Sequence, residues 1–176
     1  MNNIINVLII ATAENRRSKD QDDDEKIPDL LDEDGFIDND YSSELDNNKE
    51  TYINIISSLY FYNYIIKYMT ICPSYYSDIK VNMYDDPNYL GHIDKMLVDI
   101  NVDAYEESFD CIFVTSAYSD MYNLENISTI NKILKPNGIL ITTHPNGIYD
   151  LLSSNYKHYK TNKNNKIGNF NIFIKP

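Results

Sequence analysis

Residues Ile4 to Ile10 form an aliphatic run broken only by Asn6. A short apolar run of this kind reads as a strand buried on both faces, as parallel strands are. From Glu14 to Glu50 the pattern collapses: Asp, Glu, Asn and Ser dominate and aliphatics are sparse. Such a composition buries too little apolar surface to offset the entropy of ordering, so 14–50 is expected to be a flexible acidic insertion. Thr51 to Thr70 carries apolar residues at nearly every helical angle and predicts a largely buried, Tyr-rich helix ended by Pro73. Strands are expected over Ile79–Tyr84, Lys95–Asp99, Phe109–Thr115 and Ile139–Thr143. Leu124, Ile127, Ile130, Ile133 and Leu134 share a helical stripe, stopped by Pro136-Asn137-Gly138. A short helix is expected within 146–154. Two late strands, near Tyr156–Lys160 and Asn169–Ile174, flank the turn residues Asn162 to Asn165 and predict a closing antiparallel hairpin.

Strands alternating with helices, followed by a hairpin, argue for one α/β domain over 1–176: a Rossmann-like sandwich with a mostly parallel sheet. The chain has 176 residues, ordinary for one domain. The acidic stretch interrupts that domain and adds no second core.

Two segments resemble the class I S-adenosylmethionine-dependent methyltransferases. The first is Asp99-Ile100 followed by Ser108-Phe109-Asp110, which matches the family's acid after its third strand and its Ser-Phe-Asp lead into the fourth. The second is Leu134-Lys135-Pro136-Asn137-Gly138 before an apolar strand, similar to the family's Leu-Lys-Pro-Gly-Gly turn. The stretch that holds them, Asp99 to Asn146, ends in Thr143-His144-Pro145-Asn146, similar to the family's frequent strand exit, and is about a quarter of the chain. The resemblance implies that S-adenosylmethionine is the cofactor, bound beyond the carboxyl ends of the strands. It implies close approach of the first loop, Ala11, Thr12 and Ala13, to the ligand. It implies ribose binding by Asp85 or Asp86 after a second strand ending near Tyr84. It further implies an adenine contact from Asp99, ring packing by Ile100, and Ser116 at the mouth of the crevice. Read without it, Asp85-Asp86-Pro87 is a plain turn and Asp99 a turn cap.

One loop departs from the family pattern. No glycine precedes Gly35, so Ala11 and Ala13 stand where glycines are expected. Their Cβ atoms penalise any positive φ by about 1–2 kcal/mol each. Two functions follow: a methyltransferase of unknown substrate, or a catalytically inactive methyltransferase fold retained as a partner, regulatory or structural subunit. The helix expected over 51–70 is the candidate surface for a protein partner, because tyrosines favour interfaces. A third, weaker reading is another nucleotide-dependent α/β enzyme such as a dehydrogenase, and the lack of a Gly-x-Gly-x-x-Gly loop counts against it.

The net charge of −12 argues against broad nucleic-acid affinity, although the C-terminal segment is locally basic. Two cysteines and three histidines suggest neither a disulfide framework nor a metal site. No leader pattern opens the chain, and the most apolar stretch is too polar for a membrane span, so an intracellular, cytoplasmic protein is the expectation. The Asn-, Ile-, Tyr- and Lys-rich composition points to an AT-rich genome.

Overall fold

The computed structural model describes residues 3–10, 44–60, 64–71, 86–93, 95, 97–114, 124–143 and 152–176. Seven strands form one sheet: β1 (Asn3–Ile10), β2 (Tyr64–Ile71), β3 (Tyr89–Ile93), β4 (Phe109–Val114), β5 (Leu134–Thr142), β6 (Lys157–Asn164) and β7 (Gly168–Ile174). Their order is β3-β2-β1-β4-β5-β7-β6. The first five run parallel, and β7 is antiparallel to both β5 and β6. The helices are α1 (Glu44–Ser57), the four-residue α2 (Val102–Tyr105) and α3 (Leu124–Ile133), with a 3-10 turn over Leu97–Asp99.

The sheet separates two apolar clusters. Leu8, Ile10, Ile112 and Val114 face α3 and the 3-10 turn, where they meet Leu97, Ile127, Ile130 and Ile133. Val7, Ile9, Cys111 and Phe113 face α1, where they meet Tyr52, Ile55 and Ile56. β1 and β4 are thus buried on both faces, which is why their sequences are unbroken apolar runs rather than alternating ones.

The two segments that carry the family resemblance are bonded to each other. Asp110, at the start of β4, accepts the Asn6 backbone N–H at 2.9 Å and a Lys135 Nζ proton at 2.7 Å. The Ser108 N–H donates to the Ile133 carbonyl at 3.0 Å, and the Glu107 N–H to that of Lys132, also at 3.0 Å. Asn137 holds a φ of 60°. The Asn137 N–H donates to the Lys175 carbonyl, and the Lys175 N–H donates to that of Gly138. The Lys175 ammonium donates to the carbonyls of Asn131 and Leu134, meeting backbone acceptors that the end of α3 leaves open. The motifs are therefore the joint between β1, α3, β4, β5 and β7, at the amino end of the parallel strands.

Several expectations are corrected. The helix expected over Thr51–Thr70 is two elements: α1 begins earlier, at Glu44, and ends at Ser57, and Tyr64–Ile71 is β2. Ser57 and Ser58 turn their hydroxyls back onto the carbonyls of Ile53 and Ile55, satisfying helix-end acceptors where the helix stops. Ile65, Ile66, Thr70 and Ile71 are β-branched and suit a strand between two neighbours. The tyrosines of 51–70 therefore do not share one helix. Tyr52 and Tyr68 are buried, and Tyr60 donates to the Asp110 carbonyl. Lys95–Asp99 is no strand, because the chain there makes the 3-10 turn. Lys135, Pro136 and Asn137 belong to β5, which starts directly after α3. The last seven residues of the 14–50 stretch lie in α1; the remainder, the strand expected over 79–84 and most of the helix expected over 146–154 lie outside the described residues.

Candidate functional site

In the parallel part of the sheet the carboxyl ends line up in register. Ile93 pairs with Ile71, Ile71 with Ile10, Ile10 with Val114, and Val114 with Thr142. The strand order reverses at β1: the chain leaves β1 toward β2 on one side, and returns to β4 on the other. In an open α/β sheet the loops above such a reversal diverge to opposite faces and leave a crevice. Three strand tips, Ile10, Ile71 and Ile93, thus stand side by side.

The candidate residues fall unevenly around this row. Ala11, Thr12, Ala13, Asp85 and Ser116 lie outside the described residues. Asp86 does not stand at a strand tip. It precedes β3, at the end away from the crevice, and its carboxylate accepts the Tyr68 hydroxyl at 2.7 Å and the Asn88 N–H at 2.9 Å. Tyr89 closes the same turn by donating its N–H to the Asp86 carbonyl. Asp86 thus ties β2 to the start of β3, the turn role that its Asp-Asp-Pro context allows.

Asp99 is exposed at the end of the 3-10 turn that follows β3. Leu97 and Ile100 on either side are buried against the α3 face and hold it in place. With 6% of its surface accessible, Ile100 serves mainly as a core anchor and offers little area to a ligand ring.

The tip of β2 carries hydroxyls where the family pattern calls for an acid. Thr70 is buried, and its hydroxyl lies 3.1 Å from that of Tyr89. No residue of Tyr64–Ile71 is acidic. Tyr68 and Tyr89 pack with ring centroids 5.3 Å apart. Burial pushes the Tyr68 phenol well above its usual range, and its bond to Asp86 raises it further, so it remains a neutral donor.

Thr143, just past β5, begins the Thr143-His144-Pro145-Asn146 segment that resembles the family's strand exit, although the sequence assigns its hydroxyl no role. Its N–H donates to the Val114 carbonyl at 3.2 Å, which places it at the β4–β5 tips. Its Oγ1 is buried and has no hydrogen-bond partner among the described residues. A buried hydroxyl in that state costs free energy unless a partner arrives.

Two further buried groups lie away from the crevice. Burial, and then the Asp110 carboxylate, push the Cys111 thiol far above its ordinary range, so it is a poor nucleophile. Burial raises the Tyr156 phenol likewise. Among the described residues no group of three or more His, Cys, Asp or Glu side chains could hold a metal ion. No helix among them is long and apolar enough to cross a membrane.

An adenosyl ligand fits this edge in part. The exposed carboxylate beyond β3 and the Thr143 hydroxyl, which has no partner among the described residues, suit its polar groups. The tip of β2 lacks the carboxylate that would take a ribose.

No protein-family model matches the chain, and no curated protein sequence matches it. Solved structures do. One is an S-adenosylmethionine-dependent methyltransferase from Aquifex aeolicus, with a TM-score of 0.56 and 11% identity over 98% of this chain and 82% of that one. Another is the CMeT domain of the citrinin polyketide synthase, with a TM-score of 0.56 and 10% identity over 97% of this chain and 46% of that one. A third is the 16S rRNA (adenine(1408)-N(1))-methyltransferase from Catenulisporales acidiphilia, with a TM-score of 0.53 and 8% identity over 97% and 83%.

Proposed function

We propose that this chain, which has the fold of the class I S-adenosylmethionine-dependent methyltransferases, binds S-adenosylmethionine or S-adenosylhomocysteine beyond Ile93, Ile71, Ile10 and Val114. The observation that carries the reading is the in-register row of tips at the point where the strand order reverses. Asp99 would accept from the adenine amino group, and Thr143 would bond a polar group of the ligand near the β4–β5 tips. The cofactor would bring a methyl group on a sulfonium centre. The protein's part would be to hold that centre against an acceptor, which is catalysis by positioning.

A specific observation favours a second reading, a methyltransferase fold kept as a partner or regulatory subunit. Thr70 and Ile71 stand where the ribose acid belongs, and neither can act as a charged acceptor. Loss of a charge-assisted hydrogen bond of that kind weakens binding by about 1.5–3 kcal/mol, roughly ten- to a hundredfold.

Calorimetry separates the two. Titration with S-adenosylhomocysteine is expected to give a one-to-one isotherm at micromolar to submillimolar concentration, weakened by Asp99→Ala. Absence of heat up to millimolar ligand would refute the cofactor reading and leave the subunit reading standing.

A further inference from the structure

The last 26 residues, from Leu151 onward, carry five lysines and no acidic residue, in a chain whose formal net charge is −12. Lys175 is committed to the end of α3. Lys157, Lys160, Lys163 and Lys166 are exposed along β6 and the turn after it. Among the described residues β6 is the last strand of the sheet, and none of them forms a strand beside its outer edge. Most of its residues are exposed on both faces. A register shift between His158 and Lys160 leaves Tyr159 as the extra residue of a bulge. Tyr159 is 60% exposed, with the Lys160 ammonium 5.5 Å from its ring centroid.

The register also fixes where this edge stands. Thr142 at the tip of β5 pairs with Asn171 of β7, which pairs with Thr161 of β6. The hairpin then continues through Asn162, Lys163 and Asn164 before it turns at Lys166. At roughly 3.3 Å per residue it overhangs the row of tips by about 10 Å. Lys163 and Lys166 therefore stand above the crevice end of the sheet.

We propose that this overhanging β6–β7 edge binds a single-stranded nucleic acid, with Lys157, Lys160, Lys163 and Lys166 on its phosphates and Tyr159 stacked on a base. Lysines at an edge also discourage strand-to-strand aggregation, and that role alone would account for the charges. It does not account for a large exposed aromatic ring among them, which is the combination that holds an unpaired strand. The acidic remainder of the protein repels a broad duplex surface, whereas a flexible single strand can follow one narrow edge. Screening limits each field to about 10 Å at 0.1 M salt, so the hairpin acts locally despite the net charge. This inference does not depend on cofactor binding.

The test uses the full chain and fluorescein-labelled oligouridine and oligothymidine of about a dozen nucleotides, read by anisotropy. Saturable micromolar binding of either is expected at low salt, with log K falling against log salt at a slope of about −3, from four phosphate contacts. Replacing all four lysines by Glu should weaken binding at least tenfold. The milder pair Lys163→Gln and Lys166→Gln should lower the slope to about half. Tyr159→Ala should weaken binding about fivefold or more without changing the slope. All these positions are exposed, and melting curves verify the fold. The proposal is overturned by no binding at low salt, by binding indifferent to the lysine variants, or by equal binding of polyglutamate with no effect of Tyr159→Ala. The assay contains no S-adenosyl ligand, so its failure and a failure of the cofactor reading are told apart.

Discussion

Phe113→Ala is expected to destabilise the protein by about 3–5 kcal/mol, lowering the melting temperature by roughly 10 °C or more. Phe113 has no accessible surface. It sits in β4 between β1 and β5, facing α1, and its ring centroid lies 4.7 Å from that of Tyr52. The same cluster includes Ile9, Cys111 and Ile141 on three adjacent strands. Deleting the ring forfeits its transfer free energy and leaves a cavity. Those strands are tied by backbone ladders on either side and cannot collapse into it. Most domains of this size have only about 5–15 kcal/mol of stability, so the variant would be near its limit at 37 °C. Thermal and urea unfolding measure the loss. A change under 1 kcal/mol would mean that α1 does not cover this face of the sheet.

Gly138→Ala is expected to cost about 1–3 kcal/mol, for the opposite reason. A Cβ at Gly138 would lie 2.7 Å from Leu134 Cδ1 and 2.7 Å from the Lys135 backbone carbonyl. The leucine tip can rotate. The carbonyl cannot move without disturbing β5 at the point where Asn137 takes its positive φ and Lys175, just past β7, is bonded to Asn137 and Gly138. Urea unfolding should show a lower midpoint with an unchanged slope. Asn137→Gly is the matched control: it relieves the positive φ without adding an atom, and should be neutral or slightly stabilising. If Gly138→Ala proved as harmless as the control, the close packing around Gly138 at the start of β5 would be wrong.

The two variants also bear on how much of the fold is legible in the amino-acid sequence. β4 and β1 are legible because strands buried on both faces leave short β-branched runs that no amphipathic helix imitates. α3 is legible because its other face is wet, which leaves a stripe. The Leu-Lys-Pro-Asn-Gly turn is recognisable because sterics constrain it tightly: a positive φ at Asn137, then no room for a side chain at Gly138. β2 is hidden for a physical reason. It lies between β1 and β3 and its residues are mostly apolar on both faces, a pattern that also describes a buried helix. Joined to the true helix before it, the segment reads as one long element. The second strand is then sought too late in the chain, and Asp86 inherits a role that belongs to a strand tip. Its hydrogen bonds to Tyr68 and Asn88 do not follow from spacing once Tyr68 is placed on a helix. Asp99 follows β3 by way of a turn that the sequence does not expose. The apolar residues around it, Leu97 and Ile100, anchor a 3-10 turn instead of forming a strand.

The central claim is that the row Ile93–Ile71–Ile10–Val114 is the floor of a ligand crevice. Amide proton–nitrogen spectra of the labelled protein, recorded during titration with S-adenosylhomocysteine, test it residue by residue. The prediction is that the shifts concentrate at Ile10, Ile71, Asp99 and Thr143. Asn3, Asp86 and Phe109, at the other end of the sheet, should stay unmoved. Unchanged spectra at millimolar ligand, or shifts confined to the β3 entrance and the β6 edge, would contradict it.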